Sequence, residues 1–326
     1  MTTALPPQAN KQGRHWYQIN EAGFVFGMRL LFWICRIFGR WPFRIVLYPV
    51  VAWYMLTRKV AREASRDYLR RISAMGAQPP ITPNMLTVMR HFAAFAETML
   101  DKMLLWGGLF KMDNTVFYGE KEFSEDLDKR RGGIIISCHI GNLDLCRILS
   151  KRRAGLKISV MGHTKHAVAF NHLLAQLDPQ SQVDILEVTE ITPATAMMLS
   201  EKIGRGEYLV VSGDRIPISP NPRLTSAKFM GEDASLPVGP YILASLLQCP
   251  VYLLFSMCVG NSSEIHLERF RDLIQLPRAG RDQAIAVLAA EYASRLEYFC
   301  LRAPLQWFNF FDFWHRTTME QSNATR

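Results

Sequence analysis

Residues 132–145 read GGIIISCHIGNLDL, from Gly132 to Leu145. The β-branched run Ile134-Ile135-Ile136 has the length and composition of a buried strand, and glycines bound it. Gly141-Asn142 supplies a turn and an N-cap, and the amphipathic stretch from Leu143 to Arg153 predicts a helix. His139 is therefore expected where a strand ends and a helix begins, with Asp144 about one helical turn further on. In an α/β sheet that is where side chains converge on a ligand.

The pair has a definite chemistry. An imidazole titrates near neutral pH, so it can take a proton from an alcohol and pass it to a leaving group. A carboxylate on the other ring nitrogen fixes the tautomer and stabilises the imidazolium as it forms. If the base acts directly on an acceptor hydroxyl, no protein nucleophile is required. Cys138 is a poor nucleophile candidate, because neighbouring strand residues point to opposite faces. The plain alternative is a core histidine with a solvated aspartate on the next helix. Asn142 reads either as the cap of that helix or as a turn residue.

Outward from this stretch the chain alternates short apolar strands with helical patterns. Strands are expected at 115–118, 134–137, 157–161, 183–188, 208–213 and 251–257. Helices are expected near 124–130, 143–153, 167–177, 193–203 and 239–247, with a last one over 281–301. The fold class is thus α/β, with a mostly parallel central sheet covered by helices on both faces.

The N-terminal part differs. Residues 1–23 form a polar segment with no convincing cleavage site, so a signal peptide is not expected. Residues 24–75 read as an apolar and basic helical hairpin, interrupted at Gly39-Arg40-Trp41-Pro42. Each apolar run is shorter than the ~20 residues that a spanning helix needs. Arg29, Arg36, Arg40 and Arg44 fall near one stripe, and Arg58, Arg62, Arg66 and Arg70 follow at four-residue spacing. Aromatics with arginines suit a hairpin lying in a membrane interface, cations at headgroup level. The alternatives are an ordinary buried helical pair with exposed arginines and, if the break is tolerated, a single N-terminal span. Residues 76–326 form the α/β domain, led by a long helix from Thr82-Pro83 towards Trp106. Its Phe92, Phe95, Met99 and Met103 make a core stripe or an acyl-chain wall.

HIGNLD is the His-x4-Asp pattern of the glycerolipid and lysophospholipid acyltransferase superfamily. The wider chain resembles the bacterial branch of that superfamily that contains the lipid A late acyltransferases. The resemblance runs from about Phe24 to Trp314 and includes YLVVSGDR (Tyr208 to Arg215), KFMGEDASLPVGPYILASLLQCPV (Lys228 to Val251) and the closing PLQWFNFFDFW. It implies an acyltransferase in which His139 is the general base and Asp144 orients it. The fatty acyl group would pass from an acyl thioester, on acyl carrier protein or coenzyme A, to a hydroxyl of a lipid or glycolipid acceptor. No metal and no redox cofactor is implied, and the location implied is the cytoplasmic face of a bacterial inner membrane. The resemblance also places Asp214-Arg215 near the active site, where Arg215 can hold phosphate or a carbonyl oxygen; a structural ion pair is the alternative. Lys228, in a segment that can form a hairpin over the pocket, is an anion-contact candidate. At Gly162-His163-Thr164-Lys165-His166 the family often carries an Arg, and here Lys165, His163 or His166 stands in its place.

Composition is consistent with this. The 326 residues carry a net charge of +9, which suits an anionic membrane surface or an acidic carrier protein as partner. Nucleic acid is a poor fit, because the cations cluster beside apolar runs and no reader motif occurs. The six cysteines show no CxxC spacing, which points to reduced, buried thiols in a cytosolic setting. Two other readings stay open. One is a thioesterase-like hydrolase in which the same His activates water. The other is a non-catalytic membrane-binding scaffold.

Overall fold

The structure is a computed structural model that describes residues 30, 32–110, 114–145, 156–162, 183–186, 192–216, 222–260 and 262–314. Its centre is β2 (Gly133–Ser137), every residue of which is buried. The β-branched side chains suit a strand covered on both faces, and their alternation shows the two layers. Ile134 and Ile136 pack into one apolar cluster, whereas Ile135 packs into another. Each buried isoleucine contributes on the order of 2–3 kcal/mol.

Around β2 lie β1 (Thr115–Tyr118), β3 (Ile158–Met161), β4 (Val183–Leu186), β5 (Tyr208–Ser212), β8 (Val251–Val259) and β9 (Ser262–Arg271). They form a seven-stranded sheet in the order β1-β9-β8-β2-β5-β3-β4. Every pairing is parallel except β8 with β9. The mostly parallel α/β sheet expected from the sequence is therefore present. β9 was not expected. Its sequence SSEIHLERFR alternates, with Ser263, Ile265 and Leu267 turned inward, so it lacks the continuous apolar run of the central strands.

Helices cover both faces. On one, α4 (Glu120–Asp128) brings Phe123 against Tyr208 and Tyr252. On the other, α7 (Arg281–Arg302) lays down Ile285, Ala289, Tyr292, Leu296 and Phe299, and Phe299 stacks on Phe255 at 4.2 Å. α5 (Pro193–Gly204) and α6 (Gly239–Leu247) lie between them in sequence. A separate antiparallel hairpin, β6 (Leu224–Phe229) with β7 (Glu232–Pro237), packs on α7.

α1 (Trp41–Thr57), α2 (Lys59–Ala74) and α3 (Met85–Trp106) precede the sheet, and residues 32–38 ahead of them are also helical. The hairpin break falls at Gly39, with φ at +75°, and Pro42 is already in the first turn of α1. The long helix begins at Met85 and not at Thr82, because Asn84 is its cap: Asn84 Oδ1 accepts from Thr87 N at 2.9 Å. Pro83 disfavours a helical Thr82. α1 buries Leu47, Val51 and Met55, and leaves Trp41, Ile45, Val46, Val50, Trp53 and Leu56 exposed. No described helix is long and apolar enough to cross a membrane.

Candidate active site

β2 ends at Ser137, and the chain turns through Cys138, His139 and Ile140 at the carboxyl end of the sheet. β5 ends beside it, in register Ser137 with Ser212, and delivers Gly213 and Asp214. Gly213 has no room for a side chain: a Cβ would stand 2.6 Å from Tyr292 and 2.7 Å from Ile136. Its N–H donates to the Ser137 carbonyl at 2.8 Å, and Tyr292 Oη donates to the same oxygen at 3.0 Å. These contacts seat Asp214 directly under His139.

The two residues meet twice. His139 Nδ1 lies 2.7 Å from Asp214 Oδ1, and the His139 backbone N–H donates to Oδ2 at 2.8 Å. Ser212 Oγ donates to Oδ1 at 3.0 Å, Trp307 Nε1 to Oδ2 at 2.9 Å, and Asn309 Nδ2 to Oδ2 at 3.3 Å. Burial pushes the Asp214 carboxyl up. The His139 charge and hydrogen bonds and the Trp307 indole outweigh it, so that the group titrates at about 2. It is thus ionised across the neutral range. A carboxylate on Nδ1 leaves that nitrogen protonated and Nε2 the basic one. Among the described residues Nε2 has no hydrogen-bond partner, and the His139 side chain is 29% exposed.

The loop that carries His139 is clamped from two sides. The closing aromatic segment runs beside it: Phe308 N donates to the His139 carbonyl, Gly141 N donates to the Gln306 carbonyl, and Ile140 bridges to Trp307. From the other side Ser256 O would lie 2.0 Å from a Cβ on Gly141, whose φ is +58°. Only glycine satisfies both the left-handed backbone and that approach.

The sequence placed Asp144 on His139, and the structure places Asp214 there instead. Asp144 lies on a 3₁₀ turn, Leu143–Leu145, where its N–H is held by Asn142 Oδ1 at 3.1 Å. Its carboxylate points to α3, accepting from Trp106 Nε1 at 3.1 Å and pairing with Lys102 Nζ at 2.8 Å. At Asp144 itself the backbone is 3₁₀, and it aims the carboxylate at α3 and not at His139. Asn142 does act as a cap, and its buried Nδ2 has no partner among the described residues. Arg215 borders the pair but holds the tail, donating from Nε to Asn309 Oδ1 and from Nη2 to the Phe308 carbonyl, each at 3.1 Å. Lys228 is exposed on β6 opposite Asp233, and no described contact joins it to His139. Lys165, His163 and His166 lie outside the described residues, as does most of the helix expected over 143–153. Cys138 is fully buried, and burial holds its thiol well above the usual range, which removes it as a nucleophile.

Sequence reasoning missed Trp307 and Asn309. The available signal was their polar atoms inside an aromatic run, PLQWFNFFDFW, since a buried indole N–H or amide needs a partner.

No protein-family model matches the chain, and none of the curated proteins matches it.

Proposed function

We propose that the chain is an O-acyltransferase that moves a fatty acyl group from an acyl thioester to a hydroxyl of a lipid or glycolipid. The observation that carries the reading is the ionised, fully buried Asp214 on His139 Nδ1, which leaves a basic Nε2 at the open end of the sheet. In the proposed step His139 Nε2 takes the proton of the acceptor hydroxyl as its oxygen bonds to the thioester carbon. The tetrahedral intermediate collapses, the C–S bond breaks, and the imidazolium returns the proton to the thiolate. Asp214 takes the orienting part that the resemblance gives to Asp144. Asn142 Nδ2, a buried donor without a described partner, is our candidate for contact with the reacting oxygen. Lys102 and Asp144 border the same turn.

The exposed apolar face of α1 supports attachment to a bilayer surface. Arg58, at the N-cap of α2, and Arg66 and Arg70 on it are exposed, where anionic headgroups or an acidic carrier protein suit them. Arg40 and Arg44 have a different use from the one their spacing suggested, because they pair with Asp101 and Glu97 of α3. We favour acyl carrier protein as donor and the cytoplasmic face of a bacterial inner membrane as location.

The test is transfer of labelled acyl groups from acyl carrier protein into a bacterial membrane lipid extract, with lipids resolved by mass. Wild type should produce a new acylated lipid and His139→Ala should not. Release of free fatty acid alone would replace transfer by hydrolysis. Equal product from His139→Ala would remove the proposed base, and no turnover by wild type would favour a scaffold.

A further inference from the structure

Four buried residues form a line from the N-terminal helices to His139, each hydrogen-bonded to the next, with the backbone and the indole of Trp307 as that residue's two points of contact. Ser65 Oγ on α2 lies 2.8 Å from His91 Nδ1 on α3. His91 Nε2 lies 3.0 Å from the Trp307 carbonyl oxygen. Trp307 Nε1 donates to Asp214 Oδ2 at 2.9 Å, and Asp214 Oδ1 meets His139 Nδ1 at 2.7 Å. Ser65, His91 and Trp307 are each 0% exposed.

The polarity of every link is forced. A carbonyl can only accept, so the His91 proton sits on Nε2, and Nδ1 accepts from the Ser65 hydroxyl. An indole can only donate, so Asp214 receives a proton donor that never changes state. A buried imidazole costs free energy that an aliphatic side chain of similar volume does not, and apolar packing alone gives no reason for it. Here the imidazole binds the backbone of the residue whose side chain holds Asp214. Tyr68, Phe229 and Phe313 pack the Trp307 ring at centroid distances of 5.0, 5.2 and 5.0 Å, so that the indole cannot swing.

We propose that Trp307 is a positioning residue of the His139–Asp214 pair, held in place by His91. Asp214 Oδ2 is fixed by Trp307 and by the His139 backbone, which keeps the carboxylate from rotating and presents Oδ1 to Nδ1. Without the indole N–H, Oδ2 keeps only the His139 N–H and the longer Asn309 contact at 3.3 Å. The proposal rests on the acyltransferase reading for its kinetic readout alone.

Trp307→Phe removes the donor and keeps an aromatic ring. Trp314→Phe is the control: it makes the same change in the same segment, where the indole donates to the Phe229 carbonyl and not to Asp214. Each protein is assayed for acyl transfer from acyl carrier protein, and the Nδ1–H proton resonance of His139 is recorded by NMR. Trp307→Phe should lower kcat about tenfold or more, with KM within about twofold, and should shift or broaden that resonance. Trp314→Phe should leave both as in wild type. A folded Trp307→Phe protein with an unmoved resonance and wild-type kcat overturns the proposal. If Trp307→Phe does not fold, His91→Leu, which frees the Trp307 carbonyl, replaces it under the same criterion. Should wild type transfer no acyl group, the acyltransferase reading fails, while the resonance still decides the positioning role.

Discussion

At the scale of single residues, the site depends on which carboxylate reaches His139. Asp214 and Asp144 both stand near the end of β2, but only Asp214 contacts the imidazole, and Asp144 is held by Lys102 and Trp106. This separates the two in a way that kinetics can read. Asp214→Asn presents an amide to Nδ1 and favours the wrong tautomer, and in a dyad of this kind the expected loss in kcat is about a thousandfold or more. Asp144→Asn leaves the tautomer alone and should cost about tenfold or less. Steady-state kcat in the acyl-transfer assay measures both. Equal losses would return the orienting role to Asp144. The His139–Asp144 spacing was legible in the sequence as a pair, but spacing along a chain does not say where a side chain points. Asp214, on the neighbouring strand, was legible only as the end of a second buried run.

Among the elements, α1 carries the clearest surface signal. Its buried stripe, Leu47, Val51 and Met55, follows helical spacing, yet Trp53 is 70% exposed and Leu56 69% exposed on the rest of the helix. A soluble surface rarely shows such a contiguous apolar face. Replacing both by serine should leave folding stability within about 0.5 kcal/mol, since neither side chain packs in the core. Binding to vesicles with anionic lipid should fall about tenfold or more, because each loses apolar area that the interface would bury. Co-sedimentation measures this, and unchanged binding would move membrane contact elsewhere. The arginines of this region divide by tertiary context. Arg40 and Arg44 reach α3 carboxylates, and Arg62 donates to the Met55 carbonyl at the end of α1 at 2.7 Å. Their even spacing along the chain carries no sign of that division.

For the whole molecule, the closing segment joins the helical part to the sheet, and His91 is where that junction responds to pH. Burial lowers His91 to about 4, against a backbone hydrogen bond to Trp307 that raises it. Ser65, the Trp307 carbonyl and aromatic rings, including Tyr68, Phe92 and Phe310, face it, with no carboxylate among these contacts. Between about pH 6.5 and 4 the unfolded chain carries a proton on this residue that the folded protein does not. Stability therefore falls as pH drops through that window, by about 3 kcal/mol in all. His266 is also lowered by burial and adds to the fall, while the raised Asp101 opposes it. Denaturant unfolding of wild type against His91→Gln, at pH 7 and pH 4.5, isolates the His91 share. The variant should show a shallower acid loss, and parallel curves would exclude His91 as its source.

The sequence by itself determined the α/β class, the place of His139 at the end of a central strand, and most element positions. Those features rest on local periodicity and on turn residues, which neighbours in the chain express directly. β9 escapes the sequence reading because its alternating polar face resembles no buried run, and the long helix starts at Met85, later than Thr82-Pro83 suggests, because Asn84 is its cap. Tertiary structure alone decided that Asp214 completes the pair, that Asp144 serves α3, and that Trp307 and Asn309 enclose the carboxylate. A buried charge takes its partners from whatever donors packing brings within hydrogen-bond reach, and here the indole that meets Asp214 comes from 93 residues away in the chain.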